Sequence, residues 1–231
     1  MAVSKVQEVE VAHDPVERAR GFWEQYQKPI IGIAAAIIIV ISGWLVYKKF
    51  FKEPAEEKAA DAMFKAQEYF KNDSLSLALN GDGTNKGFLY IIKNYGGTKS
   101  AGLANFYAGN IFLKNNDYNN AVKYLKDFST DSKQIQMIAY GRLGDAYSEL
   151  KKNDEAIDNY KKAGRAFPED DFNSSEFLFR AGYLLESLGK NTEAVELYKE
   201  IKGKYPRTEK GFSIDKYIYR LSVEKNDFSV K

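Results

Sequence analysis

Apolar positions fall into two regimes along this chain. From Pro29 to Tyr47, nineteen residues pass without a charge, bounded by Lys28 and Lys48. Downstream, apolar residues recur every three or four positions among lysine, glutamate, aspartate and asparagine, which is the period of amphipathic helices. As a helix the uncharged run spans roughly 28 Å, close to the hydrocarbon thickness of a bilayer.

The run predicts an uncleaved transmembrane anchor over 29–51. Twenty-eight residues of mixed charge precede it, Ala34 to Ala36 lie mid-span, and the following GWLVYKKFFKEP is large or charged, so neither the start nor the cleavage site of a secretory signal is present. Residues 1–28 read as a tail with a juxtamembrane amphipathic segment, in which Asp14 would cap a helix and Pro15 would open it. Phe22, Trp23 and Tyr26 before the run, and Trp44 and Tyr47 at its far end, suit the two membrane interfaces. Gly32, Ala36 and Gly43 share a face on which another helix could pack closely, unless they reflect only the abundance of Gly and Ala in membrane helices. The flanking cations do not orient the span: Arg18, Arg20 and Lys28 stand against Lys48, Lys49, Lys52 and Lys58.

Residues 52–231 repeat. Gly109, Gly144 and Gly182 are each followed three residues later by a large apolar residue (Phe112, Tyr147, Leu185). Twelve residues after each glycine stands an alanine (Ala121, Ala156, Ala194), and four further on another large residue (Leu125, Tyr160, Tyr198). Pro168 and Pro206 close the second and third units. The spacing resembles the tetratricopeptide repeat, a helix–turn–helix of about 34 residues. Small residues would sit where two antiparallel helices cross, with large residues packed around the contact and proline ending the second helix. The expected fold is therefore all-α: one N-terminal transmembrane helix, then a right-handed solenoid of such repeats with a C-terminal capping helix. Three clear repeats fall at about 102–136, 137–174 and 175–208, a degenerate first one at 56–97, and the cap at 209–224. The unequal periods, 35 and 38 residues between the alanines, are expected to be absorbed in the loops STDSKQ and PEDDFNSS. In the first helix, Ala60, Met63, Phe64, Ala66 and Phe70 form the expected apolar stripe, and Gly96 and Gly97 should stop a short helix near Tyr95.

Composition narrows the chemistry. There is no cysteine and a single histidine, His13, in the tail, so the usual nucleophiles, bases and soft metal ligands are missing; no catalytic residue, metal or cofactor is expected. Residues 1–52 hold seven of the 34 Lys/Arg and five of the 32 acids, which leaves 27 of each beyond. That balance argues against nucleic acid as a partner. The acids Glu169, Asp170 and Asp171 follow Pro168 as solvated loop charge, and NGDGTN (80–85) lacks the glycine and acid that a calcium loop requires, so it reads as a plain turn. What remains is a groove lined by the first helix of each repeat, at Phe106, Asn110 and Leu113, at Ile138, Asp145 and Ser148, and at Phe179, Tyr183 and Glu186. It would take an extended peptide or a partner's helix, unless some of these side chains pack between repeats.

The tail, the single span and the compact repeats, in that order, resemble the YfgM family over nearly the whole chain. FWEQYQKPIIG beside the membrane, IIKNYGGTKSAGLANFYAG (with Tyr95, Gly97, Thr98, Ala101, Leu103 and Ala104) and IKGKYP before the closing helix carry the likeness; the doubled Gly96–Gly97 and the loop at 166–174 depart from it. The resemblance implies a single-pass protein of the bacterial inner membrane, N-terminus cytoplasmic and repeat domain periplasmic. It implies a non-enzymatic accessory subunit of the SecYEG translocon. The expected partners are the channel subunits, a PpiD-like periplasmic chaperone, emerging secreted clients and membrane lipid. A scaffold for outer-membrane or cell-wall assembly would use the same architecture.

Overall fold

A computed structural model describes residues 15–223. His13 and the proposed cap Asp14 lie outside the described residues, as does residue 224 of the expected closing helix. The chain divides after Pro54 into two compact units.

The first unit holds helix α1 (Pro15–Tyr47) and a π-helical turn (Lys48–Lys52). Pro15 opens α1, where its missing N–H costs nothing. The apolar side chains of the uncharged run stand open: Ile39 is 71 % and Val40 70 % exposed, so no core among the described residues explains their apolarity. Among the described residues, then, one helix is long and apolar enough to cross a membrane.

The described residues of the second unit form helices and the turns between them. Among the described residues the only β pairing is an isolated bridge between Gly81 and Lys86. Its helices are α2 (Glu53–Lys71), α3 (Leu75–Asn80), α4 (Phe88–Asn94), α5 (Lys99–Lys114), α6 (Tyr118–Lys126), α7 (Lys133–Glu149) and α8 (Asn153–Ala166). They continue with α9 (Asp171–Ser187), α10 (Asn191–Lys204), α11 (Glu209–Ser213) and α12 (Asp215–Val223). Pairs α5/α6, α7/α8 and α9/α10 are the three repeats. The expected boundaries at 136/137 and 174/175 thus fall inside α7 and α9.

One turn is used four times. Asp73, Asn116, Lys151 and Gly189 each take a left-handed conformation (φ 57°, 61°, 59° and 72°) at the end of α2, α5, α7 and α9. In each case the next residue's N–H reaches back five residues, as Asp117 does to the Phe112 carbonyl and Lys152 to that of Tyr147. This is the Schellman ending, which satisfies orphan carbonyls and starts the return helix. The connection to the following repeat is also reused. Tyr95, Phe167 and Tyr205 end a helix, and three residues later Thr98, Asp170 and Thr208 cap the next, accepting from Ala101, Asn173 and Gly211 N–H.

The turn exposes a first repeat that the sequence pattern only half revealed. Ala66 stands seven residues before Asp73, as the three glycines stand before their own left-handed residues, and Ala78 follows Ala66 by twelve. Both are fully buried. The return helix is then interrupted at Gly81–Gly87 and resumes as α4, whose Phe88 and Ile91 fill the core instead. In α2 the buried stripe is Ala59, Met63 and Ala66 with Phe70 half-buried, whereas Ala60 and Phe64, expected inside, face outward; Phe64 is 71 % exposed. The stripe steps by four and three residues from Ala59, and Ala60 and Phe64 lie on the row beside it.

The unequal periods also have a different origin from the one expected. α6 has nine residues and α8 fourteen, so the longer repeat carries an extra turn of helix, and most of PEDDFNSS is the start of α9 rather than loop. The closing helix is split into α11 and α12 at Ile214, which turns fully into the core, with Leu221 buried one helix later.

Candidate protein-interaction site

Each repeat is closed by one contact. A Cβ added to Gly109 would lie 2.5 Å from Leu125 Cγ, one on Gly144 would lie 2.6 Å from Tyr160 Cδ1, and one on Gly182 would lie 2.6 Å from Tyr198 Cε1. The glycine lets the large residue of the second helix press onto the backbone of the first. In the last two repeats that residue is a tyrosine whose hydroxyl goes on to a carboxylate on the first helix. Tyr160 donates to Asp145 Oδ1 at 2.9 Å, and Tyr198 to Glu186 Oε2 at 2.8 Å. Burial, reinforced by the neighbouring carboxylate, pushes both phenols well above the ordinary tyrosine range.

These carboxylates belong to a charge lattice that crosses repeat boundaries. Arg180 of α9 reaches Asp145 of α7 at 2.8 Å and Glu176 of its own helix at 2.9 Å. Lys210 of α11 adds a 3.2 Å contact to Glu176, and Arg142 lies 3.4 Å from Asp145. Further along α9, Glu186 pairs with Arg220 of α12. Burial acts to raise the Glu176 carboxyl, but hydrogen bonds from Arg180 and Lys210 outweigh it and hold it below the usual carboxylate range. The same lattice holds the Arg180 guanidinium above its ordinary value against the opposing effect of burial.

Of the nine residues assigned to the groove, Tyr183 alone is exposed, at 55 %; the other eight are half-buried. Phe106 lies 5.2 Å from Phe128, and it and Leu113 pack against a buried cluster of Ala121, Leu125, Leu143 and Ala146. Asn110 donates to the Phe106 carbonyl. Ile138 packs against the main core and is out of register with Phe106 and Phe179. The equivalent position in α7 is Gly141, whose open face is filled by the Phe177 ring of α9. Ser148 is half-buried one turn beyond Asp145. Phe179 lies between Tyr183 at 6.0 Å and Tyr217 of α12 at 5.0 Å, with Lys210 Nζ 4.5 Å from its ring. The first-helix face therefore narrows at the C-terminal end to an aromatic shelf, Phe179 and Tyr183, edged by cations. Gly32, Ala36 and Gly43 of α1 are open: a Cβ on either glycine would meet nothing within 4 Å.

Two features escaped the sequence reading. Glu56 of α2 accepts from Lys99 N–H at 2.7 Å, Ser100 N–H at 2.9 Å and Ser100 Oγ at 2.8 Å, so an acid from the first repeat caps α5. Beside that cap lies a cleft of about 800 Å³, with Ile92, Leu103, Phe128 and Ile135 along it and Lys99 and Asp131 at its rim. It opens beside the end of α6, the shortest return helix of the three repeats. The NGDGTN segment is a turn closed by Asp82, which accepts from Thr84 N–H, Asn85 N–H and the Tyr69 hydroxyl (2.6 Å); these bonds hold its carboxyl far below the usual range. Among the described residues no cluster of His, Cys, Asp and Glu comes together that could hold a metal.

No curated protein matches the chain. A family profile described as a tetratricopeptide repeat-like domain matches residues 20–212, from within α1 to α11. Domains of this kind are typically non-catalytic modules for binding other proteins. With that match over most of its length and the glycine-closed helix pairs above, the chain belongs to the tetratricopeptide repeat-like family.

Proposed function

We propose that this protein is a membrane-anchored accessory subunit of the SecYEG protein-export channel, working beside a PpiD-like chaperone. In this reading α1 crosses the inner membrane, the N-terminus is cytoplasmic, and the repeats stand in the periplasm, where they bind a fixed partner or an emerging client. The observation that supports it is the family match, which begins inside α1 and runs through the repeats, so that one profile takes in part of the candidate membrane helix and the solenoid. The resemblance to the YfgM family supplies the translocon. An extended chain leaving a channel offers apolar side chains, and the Phe179–Tyr183 shelf offers an aromatic surface for them. Tethering would raise the effective concentration of domain and client.

Purification in mild detergent through the full-length protein should recover the channel subunits and a periplasmic chaperone; recovery of neither overturns the reading. Protease added to intact spheroplasts should digest the repeats from outside. A photocrosslinker at Tyr183 separates the translocon from an envelope-assembly scaffold, because the second reading traps outer-membrane or cell-wall machinery instead.

A further inference from the structure

The turn that ends α1 is not α-helical. Over Lys48–Lys52 the backbone widens to a π-helix, closed by the Glu53 N–H donating to the Lys48 carbonyl five residues back. Such turns are rare and concentrate at functional positions. Here the turn coincides with the end of the uncharged run, and its sequence is KKFFK. No side chain in it is buried; Phe50 is 68 % and Phe51 65 % exposed. Tyr47 and Phe51 stack at 5.9 Å, and Lys48 Nζ stands 5.7 Å from the Trp44 ring. None of Lys48, Lys49 and Lys52 makes an ion pair with a carboxylate among the described residues, although Glu53 follows directly. Exposed aromatic rings and three ammonium groups without a carboxylate partner among the described residues thus share this turn and the end of α1.

We infer that the Lys48–Lys52 turn is a docking surface for anionic phospholipid, with headgroup phosphates on Lys48, Lys49 and Lys52 and the rings of Trp44, Tyr47, Phe50 and Phe51 among the upper acyl carbons. The inference rests on α1 spanning a bilayer. It goes beyond that reading in giving one end of the span a preference for lipid charge. Charge complementarity selects the occupant: a zwitterionic headgroup carries its own cation to its phosphate, whereas phosphatidylglycerol leaves the phosphate to the lysines. Aromatic side chains with apolar bodies and polar tips hold that depth.

Full-length protein with Trp23→Phe, which leaves Trp44 as the sole tryptophan, is reconstituted into vesicles of mixed phosphatidylcholine and phosphatidylglycerol. One lipid or the other carries brominated chains, and quenching of Trp44 reports which lipid is adjacent. The expected result is a preference for phosphatidylglycerol of about fivefold or more, since each lysine near an anionic surface adds roughly fivefold. Changing Lys48, Lys49 and Lys52 to Gln should abolish the preference, and changing them to Arg should keep it. Changing Arg20 and Lys28 to Gln, at the other end of α1, should leave it intact. Equal quenching by the two lipids overturns the proposal while leaving the span in place, as does a preference that survives the Gln variant. Quenching by neither lipid overturns both the span and the proposal.

Discussion

Tyr198 lies against Gly182 so closely that its ring occupies the place where any other residue would carry a Cβ, 2.6 Å from Cε1. The same relationship joins Tyr160 to Gly144. Gly182→Ala should therefore overpack the α9/α10 repeat and destabilise the protein by about 1–3 kcal/mol, less the roughly 1 kcal/mol that alanine gains over glycine inside a helix. Gly203→Ala, in α10, is the control: its Cβ would meet nothing within 4 Å, and it should stabilise by up to about 1 kcal/mol. Denaturant unfolding followed by circular dichroism distinguishes the two signs.

Four positions share one left-handed turn but not one residue type. Gly189 adopts it without strain, whereas Lys151 carries a side chain there at φ 59°. Lys151→Gly should raise stability by about 0.5–1 kcal/mol, and Gly189→Ala should lower it by a similar or larger amount. If both substitutions proved neutral in thermal melts, the Schellman geometry would not be what fixes the helix-to-helix angle.

The repeat was legible because its defining contact is between residue types sixteen apart in one unit: a glycine and the large residue it admits. The first repeat was harder to see, since Ala66 does the glycine's work and the Gly81–Gly87 interruption hides where Ala78 leads. Phe64 was misassigned because helical spacing leaves two adjoining rows to choose from, and the neighbouring helices decide between them. The groove was legible only in part for a similar reason. No local pattern announces that Phe177 will fill the space at Gly141, or that Tyr217 will come over Phe179 from another helix. Such contacts are set by how one repeat stacks on the next, and one repeat's spacing does not contain that information.

Acid should loosen the repeats. Glu56, Glu176 and Glu200 all titrate below the ordinary carboxylate value of 4.5 in the folded protein. For Glu56 and Glu176, hydrogen bonds to the α5 N-terminus and to Arg180 and Lys210 overcome the opposing effect of burial. A depressed folded pKa stabilises above the unfolded value and is lost as pH falls through the folded one. The urea midpoint should thus hold from pH 7 down to about 5 and decline below about 4.5. Glu176→Gln should lower the midpoint at pH 7 and flatten the decline; an unchanged slope would remove Glu176 from its cause.

Glu56 should matter more than its surface position suggests. Its carboxylate receives both the Lys99 and the Ser100 N–H at the start of α5. Alanine there removes a cap and part of the tie between α2 and α5, for about 1 kcal/mol. Hydrogen exchange should quicken at Lys99 and Ser100 while the amides of α9 and α10 keep their protection. Glu56→Gln should recover little, because the amide keeps an acceptor but loses the charge that favours a helix N-terminus. Uniform loss of protection across all helices would mean instead that the first repeat nucleates the whole array, as nearest-neighbour coupling in a solenoid permits.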